Sequence, residues 1–290
     1  MDPHDYCQEK AAASGSSFYY SFLVLPDEQR RAITALYAFC REVDDVVDEC
    51  SDHGLARTKL AWWREEIDRA FRGAPQHPVA RALQPHLEAF DLPEEYFVEV
   101  IDGMEMDLDT DRYSTYKELR LYCHRAAGVV GLLSAEIFGY TERSTLKYAH
   151  ELGIAFQLTN IIRDVREDAR RGRVYIPEDE LERFGVGRSD LLQSHTPERV
   201  RALMRFQAGR ARECYAHAFG RLPDADRYRQ RSGLIMAEIY LRLLEEMERE
   251  DFSVLEHKLA LTPVRKAWIA WRTERRERRR RPAGRATGTS

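Results

Sequence analysis

The chain has 290 residues, with 45 Lys and Arg against 49 Asp and Glu, so its formal net charge is −4 at neutral pH. Hydrophobic residues make up 43% of the chain and charged residues 32%, which excludes an intrinsically disordered protein, and the net negative charge argues against a polycation built to bind nucleic acid. The longest uncharged stretch, residues 11–26, is too short to span a bilayer, and the acidic start lacks the basic residues of a signal peptide, so we expect a cytoplasmic protein.

Apolar residues recur at helical spacing along the chain, and the alternation typical of strands is missing. Most prolines fall between these periodic stretches, where helices begin and end. No Gly/Ser linker divides the sequence, so we predict one all-α domain over residues 1–262, with roughly eight to ten helices of ordinary length. The clearest helical stretches are residues 27–49, 116–138, 146–168, 197–220 and 229–247.

The first predicted helix carries a polar stripe on an apolar background. Tyr37, Arg41, Asp44 and Asp48 step by four, three and four residues and therefore share one helix face. The two carboxylates lie one turn apart, about 5–6 Å between their Cβ atoms, and repel each other unless a cation lies between them. Such a pair alone is typical of a solvated helix face; the surrounding valines favour a buried one.

Two segments between the main stripes are open to ordinary structural interpretations. Residues 102–109 contain an acidic row, Asp102, Glu105 and Asp109, which we interpret as structural and paired to arginines. Residues 126–131 place small residues inside a helix, either for close helix packing or to leave room for a long apolar ligand. The aromatic segment 18–22 favours core packing, although aromatic faces also stabilise carbocations.

A second polar stripe occupies residues 153–168. Its members, Gly153, Gln157, Asn160, Asp164 and Asp168, step by four, three, four and four residues. Two oxygen-rich rows on apolar helices would face each other across a cavity. Hard oxygen ligands without His or Cys indicate Mg²⁺, with Mn²⁺ as a substitute, and Mg²⁺ prefers one or two carboxylates plus substrate phosphates. The pattern therefore predicts a diphosphate held by bridging Mg²⁺ between two helices.

Basic side chains suited to phosphate lie close to both stripes. Arg41 belongs to the first, Arg163 adjoins the second, and residues 170–173 supply three more arginines just after it. The planar guanidinium binds two phosphate oxygens at once, so we expect this basic loop to fold over the site. The alternative for the loop is a solvated basic turn.

The C-terminal residues 263–290 form a basic segment of different character. Residues 264–285 hold ten Lys or Arg and two Glu, and Trp268 and Trp271 precede a run of four arginines. The segment is either a solvated tail or a peripheral anchor that places aromatic groups and arginines at the inner face of the membrane. Nucleic-acid binding is disfavoured because the rest of the chain is acidic.

These motifs resemble the squalene/phytoene synthase family, the head-to-head prenyl transferases, over residues 14 to about 261. Within the family, residues 14–20, 103–108 and 122–131 look most like bacterial presqualene diphosphate synthases of the hopanoid pathway. The resemblance implies an isoprenoid-synthase helical bundle around a central cavity. It implies that Mg²⁺ is bound by Asp44, Asp48, Asn160, Asp164 and Asp168, that the diphosphate sites are lined by Tyr37, Arg41, Gln157, Arg163, Arg173 and Tyr175, and that the prenyl chains contact Phe18 and Tyr240.

The expected reaction is head-to-head condensation of two farnesyl diphosphates to presqualene diphosphate, with release of diphosphate, in squalene and hopanoid biosynthesis. The catalytic residues would be Asp44, Asp48, Asp164, Asp168 and Tyr37, with downstream hopanoid-pathway enzymes as candidate partners. Family members often carry Tyr where His124 or Arg125 stands here, so the proton acceptor, either Tyr37 or the released diphosphate, is left open.

Three other functions are consistent with the residues. No Rossmann motif is present, so NADPH is not expected for the first step. Squalene synthase with NADPH reduction remains an alternative, as does phytoene synthase acting on geranylgeranyl diphosphate, because cavity depth decides chain length. From a different class, the chain would be an all-α scaffold with acidic faces.

Overall fold

The computed structural model describes residues 1–13, 17–50 and 52–280. The predicted motif residues 14–16 and the last ten residues of the basic segment lie outside the described residues. Within the described part the protein is all-α, and its one β-type contact is an isolated bridge between Arg112 and Val174. The α-helices are α1 (Pro3–Ala13), α2 (Phe18–Phe22), α3 (Asp27–Glu49), α4 (His53–Phe71), α5 (Pro78–Ala89), α6 (Glu94–Asp109), α7 (Tyr116–Cys123), α8 (Val129–Phe138), α9 (Ser144–Arg170), α10 (Glu178–Arg183), α11 (Glu198–Arg221), α12 (Arg231–Arg249) and α13 (Pro263–Arg280).

The prediction of an all-α fold is confirmed, but roughly eight to ten helices was too few. Short helices such as α2 and α10 span only five and six residues, too few for apolar periodicity to reveal them. The predicted helix 116–138 is interrupted by a π-helical turn at His124–Gly128, which separates α7 from α8 without a proline or a loop. A π-helical turn contains one residue more than an α-helical turn, so it changes which side chains face the neighbouring helices. The apolar periodicity of the sequence is nearly unchanged by it.

Two hydrophobic clusters pack on either side of the central cavity. One is built around α9, α11 and α12, and the other around α3, α4, α5 and α6. Phe39 of α3 is fully buried and packs edge-on against Trp63 and Phe97, with ring centroids 5.8 and 5.4 Å away. Burying one such side chain contributes about 1.5–3 kcal/mol, which fixes the rotation of α3 and turns its polar stripe inward.

Helices α8 and α9 approach each other at their glycines. A Cβ atom on Gly131 would stand 2.2 Å from the carbonyl oxygen of Ala149, and one on Gly153 would stand 2.3 Å from that of Ala127. The small residues therefore serve close helix packing. Some of them also line the apolar cavity described below, and their use in making room for a long apolar ligand stays a prediction.

The acidic row on α6 is structural, as predicted. Arg64 of α4 pairs with Asp102 and Glu105, and Arg57 pairs with Asp109. These ion pairs lie on the face of α6 that contacts α4, away from the cavity. The row therefore joins two helices.

The basic C-terminal segment is helical through residue 280. Helix α13 packs on α12 and α2, and it buries Ile269, Ala270 and Glu277, the last paired with Arg227 from the loop between α11 and α12. The boundary at residue 262 stays a prediction. In the part of the chain that the structure describes, no helix combines the length and apolar character that crossing a membrane requires.

Candidate active site

A polar cavity of about 560 Å³ lies between α3 and α9 and continues into an apolar cavity of about 190 Å³. The two cavities share the lining residues Phe18, Tyr37, Gln157 and Asn160. They therefore form one site with a charged end and an apolar end. The structure brings all of the sequence-predicted site residues to the polar cavity: Phe18, Tyr37, Arg41, Asp44, Asp48, Gln157, Asn160, Arg163, Asp164, Asp168, Arg173, Tyr175 and Tyr240.

Helix α3 supplies the first acidic pair. Its buried Val43 and Val47 anchor the adjoining face in the core, and Asp44 and Asp48 line the cavity. Arg41 donates a hydrogen bond from Nη1 to Asp44 Oδ2 at 2.5 Å and also pairs with Asp45. The guanidinium is thereby held at the cavity wall, where an incoming phosphate can compete for it.

The arginine loop after α9 reaches across to this first pair. Arg171 and Arg173 donate hydrogen bonds to Asp48 at 2.7 and 2.8 Å, and Arg173 also binds the carbonyl of Val47. The loop can turn back because Gly172 has a φ of +87°, a left-handed conformation that favours glycine. The loop therefore lies at the site, as predicted, while the side chains of Arg170 and Arg171 stay exposed to solvent.

Helix α9 supplies the second acidic pair. Arg163 grips Asp164 with two hydrogen bonds, from Nε at 2.8 Å and from Nη2 at 2.5 Å, and Lys258 Nζ lies 2.9 Å from the same carboxylate. Asp168, one turn further, has no ion-pair partner among the described residues. The two carboxylates of one row thus differ sharply in their surroundings.

The electrostatics follow from those surroundings. Burial and the neighbouring charges of Asp164 and Asp107 raise the pKa of Asp168 to about 8, and burial with repulsion from Asp48 and Asp45 raises that of Asp44 to about 6. Burial would also raise the pKa of Asp164, but Arg163 and Lys258 outweigh it and hold this pKa below its ordinary value. A cation near Asp44 and Asp168 would relieve the repulsion.

The donor set fits Mg²⁺ when a phosphate completes it. The Oδ1 atom of Asn160 is buried without a hydrogen-bond partner, although its Nδ2 donates to Gln157 Oε1 at 3.5 Å. Across the ranges that the structure describes, no three acidic, His or Cys side chains are gathered closely enough to hold a metal ion by themselves. Asp44, Asp48, Asn160, Asp164 and Asp168 would therefore bind it together with substrate oxygens.

An aromatic collar, formed by Phe18, Tyr37, Phe156 and Tyr240, separates the polar cavity from the apolar one. The ring of Phe18 lies 5.5 Å from Tyr37, 6.3 Å from Phe156 and 6.4 Å from Tyr240, and Phe156 lies 4.8 Å from Tyr240. The faces of such rings attract cations. The collar therefore stands where a positive charge released from a diphosphate would form.

The polar cavity contains a further, half-buried acid that was not predicted from the sequence. Asp107 of α6 lines the polar cavity and accepts hydrogen bonds from the hydroxyls of Tyr175 at 2.9 Å and Tyr122 at 3.1 Å. Burial raises its pKa to about 7. Helical spacing places Asp107 on the face opposite Asp102, which could have distinguished it from the structural row. Lys258 and Lys266, also missed, lie outside any stripe.

His124 and Arg125 stand where family members often carry Tyr, and His124 pairs with a second histidine. His124 Nδ1 lies 2.9 Å from His150 Nε2, and Arg125 donates a hydrogen bond to Glu99 at 2.9 Å. Neither His124 nor Arg125 is among the residues that line the two cavities. The tyrosines that do line the polar cavity are Tyr37, Tyr122, Tyr175 and Tyr240.

Comparison with known proteins identifies the family to which the chain belongs. The squalene/phytoene synthase family profile matches residues 11–266, and the chain belongs to this family. It is 38% identical to the phytoene synthase of Arthrospira platensis, over 89% of this chain and 87% of that protein.

Two solved structures share the fold. One is a dehydrosqualene synthase crystallised with a ligand, with a TM-score of 0.83 and 28% identity over 96% of this chain and 97% of that one. The other is the squalene synthase HpnC from Alicyclobacillus acidocaldarius, with a TM-score of 0.76 and 27% identity over 87% of this chain and 95% of that one. The chain therefore has the helical fold of this family and is a prenyltransferase-type enzyme.

Proposed function

We propose that the protein joins two prenyl diphosphates head to head, with geranylgeranyl diphosphate as substrate and phytoene as product. The main observation in support of this reaction is that two acidic rows, from α3 and α9, line one polar cavity that opens into an apolar one. The choice of substrate is supported by the phytoene synthase of Arthrospira platensis, at 38% identity. The sequence analysis placed presqualene diphosphate synthesis first, and this relative favours its phytoene alternative.

Arg41, Arg173 and Lys258 hold the diphosphate of the first substrate at the polar end. Without substrate these basic groups pair with Asp44, Asp48 and Asp164, so they are already positioned at the cavity. When substrate binds, the diphosphate becomes the partner of the basic groups, and its counter-ion becomes the partner of the aspartates. When bound, Mg²⁺ would act as a Lewis acid that draws charge onto the leaving diphosphate. Donors already aimed at the developing charge lower the barrier to breaking the C1–O bond, since they need little reorganisation.

The aromatic collar then faces the allylic cation. Its rings stabilise the positive charge, and the apolar cavity excludes water that would trap the cation as an alcohol. The C2=C3 double bond of the second substrate attacks C1, and loss of a proton closes a cyclopropane. Ionisation of the second diphosphate, rearrangement and loss of another proton give phytoene, which requires no reductant.

The second candidate is the same chemistry on farnesyl diphosphate. It is supported by the fold shared with a dehydrosqualene synthase and with the squalene synthase HpnC, each about 27–28% identical. The product would be presqualene diphosphate or dehydrosqualene, and squalene only if a hydride from NADPH quenches the final cation. The difference between the two candidates is one isoprene unit per chain, which the apolar cavity must accept or reject.

The test is incubation of the full chain with farnesyl or geranylgeranyl diphosphate, each with Mg²⁺ or with EDTA and each with or without NADPH. We expect diphosphate release and phytoene from geranylgeranyl diphosphate with Mg²⁺ alone. Presqualene diphosphate or a C30 hydrocarbon from farnesyl diphosphate, at higher kcat/KM, would favour the second candidate. An absence of diphosphate release from both would contradict the enzyme assignment and leave the acidic scaffold.

Matched variants locate the reaction in this cavity. Asp44→Asn and Asp164→Asn should abolish turnover. Asp102→Asn removes an acid of the same type whose partner, Arg64, lies outside the cavity, and it should keep nearly full activity. Equal loss in all three would indicate damage to the fold.

A further inference from the structure

An apolar stripe follows the outward face of α13. Val264, Trp268 and Trp271 step by four and three residues, and 80%, 52% and 56% of their surfaces are exposed. The buried residues of the helix, including Ile269 and Thr273, lie on the opposite face against α12. Large exposed apolar side chains in one row are unusual on a soluble monomer and indicate an interaction surface.

Arginines surround this stripe. Helix α13 contains eight Lys or Arg and two Glu, and its guanidinium groups of Arg272 and Arg275 lie 5.2 and 5.3 Å from the rings of Trp268 and Trp271. All four side chains are exposed. Indole rings next to arginines match the boundary between acyl chains and anionic headgroups, where the ring enters the apolar layer and the guanidinium stays among phosphates.

The face of α13 opposite the stripe reaches the polar cavity. Lys266, near the start of α13, lines the polar cavity, and its Nζ lies 5.8 Å from the ring of Tyr20 on α2. Leu23, just after α2, is 53% exposed. Helix α13 therefore presents the stripe on one face and contributes to the wall of the polar cavity on the other.

We propose that the outward face of α13 docks the protein on an anionic lipid bilayer. The net charge of +6 on this helix complements anionic headgroups, and the paired tryptophans need an apolar layer that a nucleic acid does not offer. The net charge of −4 for the whole chain leaves the remainder acidic, so a phosphate polymer that extends beyond α13 would be repelled. Docking would deliver an apolar product into the membrane, a consequence that rests on the proposed function, whereas docking itself does not.

The experiment is sedimentation of the full chain with vesicles of phosphatidylcholine and phosphatidylglycerol in a ratio of 7 to 3, against pure phosphatidylcholine. We expect binding to the anionic vesicles that weakens as salt rises. Arg272→Gln with Arg275→Gln should weaken it about 30-fold, from about 1 kcal/mol per basic residue. Trp268→Ser with Trp271→Ser should weaken it about tenfold or more, and brominated lipids should quench wild-type tryptophan fluorescence.

The chain offers a matched control for each pair. Trp62 on α4 is 37% exposed and also has an arginine, Arg69, over its ring at 5.7 Å, so Trp62→Ser should bind vesicles normally. Arg72→Gln with Arg81→Gln removes two exposed charges elsewhere and should change binding little. Circular dichroism verifies that each variant is folded, and diphosphate release in detergent follows activity separately.

Three results would overturn the proposal. The first is no binding of the wild-type chain to anionic vesicles at low salt. The second is binding that the α13 variants and the matched control variants reduce equally. The third is tighter binding to an oligonucleotide or an acidic peptide than to vesicles, which would indicate another partner for this face. None of these depends on which prenyl diphosphate the protein uses.

Discussion

The two aspartates at the end of α9 should respond to the same substitution with opposite changes in stability. Asp164 is gripped by Arg163 and Lys258, whereas Asp168 is buried near other acids without an ion-pair partner among the described residues. We expect Asp168→Asn to stabilise the metal-free protein and Asp164→Asn to destabilise it. Both should lose catalytic activity.

The magnitude for Asp168 follows from its pKa. The carboxyl has an ordinary value of 3.8 and a folded value of about 8, so at pH 7 folding requires uptake of a proton that the unfolded chain has released. That uptake spans about three pH units at about 1.4 kcal/mol each, or about 4 kcal/mol. Solvent screening at this partly exposed group reduces the expected gain in Asp168→Asn to about 2 kcal/mol.

The pH dependence carries the sign of the effect. Because the native state binds the extra proton, the contribution of Asp168 to the stability of the wild-type protein becomes less favourable as pH rises from about 4 to about 8. The advantage of Asp168→Asn should therefore be near zero around pH 4 and largest at about pH 8. Asp164 has a lowered pKa, so its contribution is present above the unfolded value and is lost only at acid pH.

The assay is urea unfolding followed by circular dichroism in EDTA, at pH 5 and at pH 8.5. Asp164→Asn removes the carboxylate that pairs with Arg163, while Lys258 keeps its pair with Glu167, and it should cost about 2–3 kcal/mol, since breaking a buried pair is strongly unfavourable. Mg²⁺ with pyrophosphate should stabilise the wild-type protein more than Asp168→Asn. A loss of stability in Asp168→Asn, or a gain that is equal at both pH values, would refute the reasoning.

Three further predictions concern packing and the apolar cavity. Gly131→Ala should cost about 3 kcal/mol in thermal or urea unfolding because its Cβ would stand 2.2 Å from the Ala149 carbonyl, whereas Gly209→Ala, with nothing within 4 Å, should gain about 0.5–1 kcal/mol. Equal effects would contradict the packing argument. Asp226→Ala, which removes the acceptor for donors on the start of α9 and the turn before it, should cost about 3 kcal/mol at neutral pH and less at acid pH, because its pKa is lowered. Ser134→Phe at the apolar cavity should lower kcat/KM for geranylgeranyl diphosphate more than for farnesyl diphosphate. A larger loss with farnesyl diphosphate would contradict the role of this cavity in selecting chain length.

Much of the site was predictable because it lies on two long helices. A period of 3.6 residues determines which side chains share a face, so Asp44 and Asp48, and likewise Asp164 and Asp168, were grouped from spacing alone. The apolar neighbours indicated that these faces were buried. The oxygen-only character of the stripes indicated the kind of ligand. The helical class of the fold followed from the same periodicity.

Other features depended on contacts between distant segments. Arg171 reaches Asp48, 123 residues earlier in the chain, and Lys258 reaches Asp164 from a segment without helical periodicity. Asp107 belongs to the site only because α6 turns that face toward the cavity while its other acids contact α4. Local spacing carries no information on such pairings.

The sequence by itself determined the helices and the chemistry of each face, since both depend on residues within a few turns of one another. The tertiary structure alone decided which faces meet across the cavity, which aspartate of a row is neutralised by a cation, and which side of α13 stays exposed. Those outcomes depend on how whole helices pack, and packing is selected by the burial of both clusters together.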